Sequence, residues 1–499
     1  IDLGAGENII IADYGDTLDF SSFAASDFLN VTYLEDDINA ETLIGSQGDD
    51  TFRIRTDGSR DVFSGGLGDD TFIVDGTQSG LDTIQGGDGY DRILGSLRSD
   101  FFTFIEISGI EFIDLGFGVS NTLKATAGVT ADFSSFDATN FLNVQFITDG
   151  NGTETITGSQ TDDTFKITND SHFDQFNGGL GDDTFIINGH NYQNDLIAGG
   201  DGNDRIIGTD GDDSFRLVNV SGIESIDLGA GTNTIYGAAN GTLDISAFTG
   251  TITNAGFGDL NGTETIIGTD GDDTFHLNND GLNDTFTGGL GNDTFVIDGN
   301  NTSADFISGG NGNDRIIGTD GDDSFRYINV SSVETIDLGA GNNTISGAAN
   351  ATLDLSSFAT GTIQNATLTD LSGTEVIYGS QGNDILSSIG DNLNDTFYGE
   401  GGADTFIFTN AASQYDTIGD FSTNEGDVID ISDLLSTYDS VTDSITDFIS
   451  ITATASPNEF ILSVDTDGTA GGTSFTEIVL FDTNNQTLEQ LIDNGNILI

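Results

Sequence analysis

Apolar residues return on a nine-residue frame, G-G-x-G-x-D-x-U-x with U apolar, of which GGLGDDTFI at 65–73 and 178–186 and GGLGNDTFV at 288–296 are clear members. The frame starts at residues 45, 65, 86 and 95, at 158, 178, 199 and 208, at 268, 288, 309 and 318, and at 379 and 399. Its eighth residue is always Phe, Ile or Leu, in most frames beside Thr or Arg. Side chains in a strand alternate between faces, so the eighth residue is expected to point inward and its neighbours outward.

A second set of acids lies between these turns. Asp61, Asp82, Asp174, Asp195, Asp284, Asp305 and Asp395 stand four residues before a glycine turn, and Glu41, Glu154, Glu264 and Glu375 do so at the start of each block. The intervening segments therefore keep the frame with two or three extra residues, which predicts a coil of 20 or 21 residues made of two short strands and two turns. Stacking such coils would build one continuous apolar core from strands too short to bury a face alone.

The pattern also repeats on a longer scale, the GGLG turn recurring at 65, 178 and 288. Blocks are assigned to 1–112, 113–225, 226–335 and 336–415, the first and last partial, with a different C-terminal segment at 416–499. Each block contains a stretch that leaves the frame: LDFSSF at 18–23, ADFSSF at 131–136, LDISAF at 243–248 and LDLSSF at 353–358. An irregular coil with a protruding loop is expected there, either a plain turn or a lateral contact surface.

Position six is Asp in all fourteen frames. Glycines permit the positive φ angles of a tight turn and expose backbone carbonyls, and Asp supplies the hard oxygen that Ca²⁺ prefers. Asp-Gly turns also form without metal, but a column of carboxylates about 5 Å apart would repel itself without cations. The candidate ligands are Asp50, Asp70, Asp91, Asp163, Asp183, Asp204, Asp213, Asp273, Asp293, Asp314, Asp323, Asp384 and Asp404. Arg98 replaces the fourth glycine in the turn of Asp100, and Thr161 does so in that of Asp163, which weakens both. The second-side turns, such as HNYQNDLIA at 190–198 and NNTSADFIS at 300–308, lack the glycine pair and are expected to be emptier.

This array resembles the RTX (repeats-in-toxin) proteins, over most of residues 36–419. The resemblance implies an all-β parallel β-roll, or β-solenoid, with calcium between successive turns on one side, for example between Asp50 and Asp70 or between Asp70 and Asp91. On the order of ten ions are expected. The end of the chain, YDTIGDFSTNEGDVIDISDLL onward, resembles the C-terminal target domain of type I secretion substrates, which implies recognition by an ABC transporter during export. The same segment could cap the solenoid against edge-to-edge pairing. Pro457 is expected in a loop there, and DTDG at 465–468 is a further calcium candidate.

Composition narrows the function. Acidic residues number 83 against 11 basic ones, a formal net charge of −72, and 15 of the acids are Glu. Even with about ten Ca²⁺ bound such a chain stays strongly anionic and repels nucleic acid and anionic membranes. Cysteine is absent, so extracellular stability must come from metal and packing. Methionine is absent too, and IDLGAGENII at 1–10 repeats at 226–235 and 336–345, so a longer precursor is expected. No stretch is apolar enough to span a membrane, and His172, His190 and His276 are scattered without a catalytic motif. An enzyme is not expected. The preferred expectation is a secreted, extracellular or cell-surface structural protein (S-layer, sheath or filament subunit) that assembles with identical chains. The stalk and secretion end of a larger adhesin comes second, and the C-terminal part of a secreted enzyme or toxin third.

Overall fold

The computed structural model describes residues 1–499 except 14, 56–57, 192, 298, 302, 412, 457 and 469–474, with the backbone only at 78, 79 and 191. Pro457 thus lies outside the described residues. The chain divides into two compact units, Ile1–Ala238 with Thr249–Ala255, and Ala239–Phe248 with Gly256–Ile499. Each is a parallel β-solenoid.

In the first unit, strands Thr51–Ile54, Thr71–Val74, Arg92–Leu94 and Phe112–Asp114 stack in parallel on one side. The register places Phe52, Phe72, Ile93 and Ile113 directly over one another, all 0% exposed. Leu43, Phe63 and Ile84 stack against them from the other side. Phe165, Phe185, Ile206 and Ile226 repeat the column in the first unit, as do Phe275, Phe295, Ile316 and Ile336 in the second. Paired rings lie nearly parallel, with centroids 4.9 Å apart in Phe52–Phe72 and Phe165–Phe185. Each buried Phe contributes roughly 2–3 kcal/mol, and the in-register stack makes every coil depend on its neighbours. The expected alternation holds with one refinement. Thr71, Thr184 and Thr294 face outward yet are buried, because an arginine one coil on covers them: Nε of Arg92, Arg205 and Arg315 donates to Oγ1 at 2.8, 2.9 and 3.0 Å.

Along a ladder the coils step by 20, 21 and 20 residues, as in Thr51 to Thr71 to Arg92 to Phe112. The next step is longer: Ile113 faces Phe141, Ser225 faces Thr251 and Ile336 faces Ile363. The added residues are the LDxSSF stretches, and they are not protruding loops. Thr17–Asp19, Thr130–Asp132, Thr242–Asp244 and Thr352–Asp354 are strands, each paired to the following coil. Their apolar residues enter the core, with Phe133, Phe136, Ile245, Leu355 and Phe358 at most 5% exposed. The Asp of each closes the turn that follows; Asp19 Oδ1, for example, accepts from Ser21 N at 2.9 Å. Each of these strands is also the first strand of a sheet.

A further ladder opens at His190–Asn191, which pairs with Ser214–Arg216, and again at Asn300–Asn301, which pairs with Ser324–Arg326. His190 therefore begins a strand, Nδ1 lying 2.9 Å from Ser214 Oγ, rather than lying in a second-side turn. Coils in the middle of a block hold three short strands where two were expected, because a polar turn plus Ser-Phe-Arg is long enough to pair with the coil above.

The C-terminal segment continues the second unit's sheets. Val428–Asp430 pairs with Thr405–Phe408 and then with Ile497–Leu498, while Asp416–Ile418 pairs with Thr476–Asp482. The last three strands of that sheet, Thr476–Asp482, Glu459–Val464 and Ile449–Ala453, run antiparallel to one another. Helix Leu488–Asp493 starts on a capping box, Thr487 Oγ1 accepting from Gln490 N at 3.3 Å. Among the described residues no helix is long and apolar enough to cross a membrane.

Candidate metal centre

The glycine turns stack as the frame requires. Gly66 and Gly68 hold φ of +106° and +112°, a region that disfavours any side chain. A Cβ on Gly65 would collide with Asp70 Oδ2 and with the carbonyl oxygen of Gly86 in the next coil, and Gly178 and Gly288 are enclosed in the same way. The glycine is needed because carboxylate and carbonyl oxygens converge on its Cα.

Position-six acids form columns in which each carboxylate accepts from the amide of its predecessor. Asp50 N donates to Asp70 Oδ1 at 2.8 Å, Asp70 N to Asp91 Oδ1 at 2.7 Å and Asp91 N to Glu111 Oε2 at 2.8 Å. Asp163, Asp183, Asp204 and Glu224 form the second column. Asp273, Asp293, Asp314 and Glu334 form the third, and Asp384, Asp404 and Asp427 the fourth. Glu111, Glu224, Glu334 and Asp427 were not anticipated, because their turns lack the glycine pair; the recurrence of I/V-E before a strand at block spacing was the available signal.

The candidate ligands differ in what their second oxygen does. In Asp70, Asp91, Asp183, Asp204, Asp293 and Asp314 it is buried and has no hydrogen-bond partner. In Asp163, Asp273 and Asp384 it accepts the amide four residues back, at 2.6–2.7 Å, closing the turn that begins the column. Asp50 does the same with Ser46 N. In Asp213 and Asp323 both oxygens are engaged, one by Thr209 N or Thr319 N and the other by Gly189 N or Gly299 N. At 465–468, Asp465 Oδ1 accepts from Asp467 N at 3.3 Å, a local turn.

Asparagine at the same position tests what the buried oxygen requires. Asn233 Oδ1 accepts from Asp213 N at 2.8 Å, as the column acids do. Its Nδ2 donates to the carbonyls of Leu228, Gly229 and Asn254 at 3.0, 3.1 and 2.9 Å. Asn343 and Asn121 repeat this arrangement. Leu228 and Gly229 correspond by position to Gly65 and Gly66. A carbamoyl NH₂ in that slot finds only acceptors, so a carboxylate oxygen there meets oxygens on every side and calls for a cation or a proton. The donor set, carboxylates with backbone carbonyls, is one for calcium. Asp70 with Asp91, Asp183 with Asp204 and Asp293 with Asp314 would hold the ions.

Burial raises these carboxyls: Asp70 and Asp183 are pushed up to about 8, Asp293 and Asp404 up to about 7. On the second side Asp174 and Asp395 reach about 8 and Asp284 about 7 for the same reason. The second-side acids also form columns, Glu154 N donating to Asp174 Oδ1 at 2.7 Å and Asp174 N to Asp195 Oδ1 at 2.9 Å. Three acids the sequence reading passed over join them, Asp149, Asp259 and Asp370. His172 pairs with Asp170 at 3.3 Å on that side.

Two outcomes follow for calcium-free protein. A carboxyl held above its usual value favours folding while protonated, so stability should fall as pH rises from about 4 towards 8 and return as pH drops. Far-ultraviolet circular dichroism of metal-stripped protein should therefore show more β structure at pH 5 than at pH 8, and saturating calcium should remove the difference; equal spectra without metal would contradict the assignment. Asp183→Asn should bind fewer calcium ions yet keep its β structure at lower calcium than the unmodified chain, because the amide can make the bonds Asn233 makes. A greater need for calcium in that variant, read by chelator titration, would show that the slot is not as described.

Comparison with known families agrees with this geometry. The model of the RTX calcium-binding nonapeptide repeat (4 copies) matches residues 37–72, 77–97, 191–216, 260–295, 299–326, 331–351, 360–388 and 389–408. No curated protein matches the chain. The matched segments hold the glycine turns of Asp50, Asp70, Asp91, Asp204, Asp213, Asp273, Asp293, Asp314, Asp323, Asp384 and Asp404. With the parallel solenoid and the buried carboxylate slots, they show that this chain carries RTX calcium-binding nonapeptide repeats in multiple copies.

Proposed function

We propose that the chain is a secreted structural protein of the cell surface, a sheet, sheath or filament subunit that folds on meeting calcium outside the cell and then assembles with identical chains. The observation that carries this reading is a repeated exposed leucine. Leu67, Leu180 and Leu290 occupy the third position of the GGLG turn in successive blocks and are 47%, 46% and 45% exposed. Isolated exposed apolar residues are ordinary, but one kept at the same turn at block spacing suits a contact made over and over. Cations at the adjacent turns would offset the charge that otherwise keeps −72 chains apart. The reading assigns no catalysis: the buried acids recur in equivalent positions, which suits a building material better than a single reaction centre.

The C-terminal segment is assigned two roles in this reading, ending the solenoid and addressing the chain to a type I exporter. Export of an unfolded chain suits a protein that cannot close its carboxylate columns in a calcium-poor cytosol. An adhesin stalk is the second reading, since a calcium-stiffened solenoid also serves as a spacer.

Electron microscopy and light scattering in millimolar calcium should reveal ordered sheets or filaments. The triple variant Leu67→Ser, Leu180→Ser, Leu290→Ser should fold with calcium but assemble far less. A dispersed monomer from the unmodified chain would favour the stalk instead. Removing residues 416–499 should leave the product inside the producing cell, and continued secretion would refute the export role.

A further inference from the structure

The second-side acids have a constellation of their own, once per block. An Asp and a Glu five residues apart are followed, in the next turn of the same side, by two Asp four residues apart. Asp149, Glu154, Asp170 and Asp174 form one set; Asp259, Glu264, Asp280 and Asp284 the next; Asp370, Glu375, Asp391 and Asp395 the third. In the first block Asp36, Glu41 and Asp61 hold the same positions, the fourth member lying outside the described residues. We propose that each of the three sets at 149–174, 259–284 and 370–395 is a second kind of calcium site, distinct from the nonapeptide turns.

Several observations support the proposal. One carboxylate oxygen from each of Asp149, Glu154, Asp170 and Asp174 lies within 4.8 Å of the others, as do those of Glu264, Asp280 and Asp284, and of Asp370, Glu375 and Asp395. Calcium takes oxygen ligands at 2.3–2.6 Å, so ligands on opposite sides of the ion lie about 5 Å apart, which is the size of these clusters. The glutamates are 0–3% exposed, and Oε2 of Glu154, Glu264 and Glu375 has no hydrogen-bond partner. Oδ2 of Asp259 and Asp370 is likewise buried without one. Among the described residues, the ion pair made by these carboxylates is that of Asp170 with His172. Buried carboxylates at such separations are tolerated when a cation or protons neutralise them, and the all-oxygen set selects a hard cation. Asp149, Glu154, Asp170 and Asp174 lie outside every segment matched by the RTX repeat model, Glu264, Asp280, Asp284, Asp370, Glu375, Asp391 and Asp395 lie inside matched segments, and none of these turns has the glycine pair.

The site has a structural task. The other oxygen of each glutamate accepts the amide of Gly128, Asn240 or Asn350, at 2.9, 2.7 and 2.6 Å. Those residues stand just before the strands Thr130–Asp132, Thr242–Asp244 and Thr352–Asp354, each the first of a new sheet. An ion held by the glutamate and by the next turn's aspartates would pin that opening strand to the coil above it.

Native mass spectrometry in calcium, at concentrations where the chain stays dispersed, tests the proposal independently of assembly. Glu154→Gln keeps the bond to Gly128 N and removes one charge, and should bind one ion fewer than the unmodified chain. Glu154→Gln, Glu264→Gln, Glu375→Gln should bind three fewer, with the nonapeptide ions retained. An unchanged count in folded single and triple variants would overturn the proposal, as would a loss of more ions than clusters altered. If the triple variant fails to fold, the count on the single variant decides.

Discussion

The structure depends on how a buried carboxylate oxygen is neutralised where one coil meets the next. Each column acid spends one oxygen on the amide of the previous coil, and in Asp70, Asp183 and Asp293 the other faces oxygens alone. Two like charges about 5 Å apart repel by about 3 kcal/mol at an effective dielectric of 20, and a fully ionised column would meet that repulsion at every step. The phenylalanine stacks favour closing the coils, while the acids oppose it until a cation or proton arrives. Calcium binding available only to the folded state would add directly to stability and so favour closing the apolar register at neutral pH.

Asn121, Asn233 and Asn343 reveal the logic by exception. They close columns with a neutral amide where no further ion is called for. Asp100, Asp213 and Asp323, their partners, have both oxygens engaged by backbone amides. One residue type therefore does two jobs, candidate ligand in mid-column and turn-former at the start, according to whether its second oxygen reaches an amide four residues back.

Much of this was legible in the sequence because the frame ties chemistry to geometry. A residue two after the Asp must point inward, and Phe52, Phe72, Phe165 and Phe185 do. The columns were legible for the same reason. What escaped notice lacked the glycine signature: Glu111, Glu224 and Glu334 close columns from turns of ordinary composition, and Asp149, Asp259 and Asp370 join their clusters from the preceding turn. The LDxSSF stretches were misread as protrusions because Asp and Ser dominate their outline, although the alternate Leu or Phe already had the period of a buried strand. The Ser-Phe-Arg strands were legible too, since the frames starting at 208 and 318 place Phe215 and Phe325 at the inward eighth position; that they make a third strand in a mid-block coil, paired with brief polar strands such as His190–Asn191, was not.

The staggered origins of the sheets bear on how the molecule would carry load. In the first unit one sheet runs from Ile9–Ile11 to Phe141–Leu142, while another begins at Thr130–Asp132, and a third spans both from Thr17–Asp19 to Thr251–Thr253. The seams are laid like courses of brick. A tear running up the hydrogen bonds of one sheet would reach its end beside the unbroken middle of another and stop there, so a pull along the coil axis would be shared among sheets instead of unzipping any one of them.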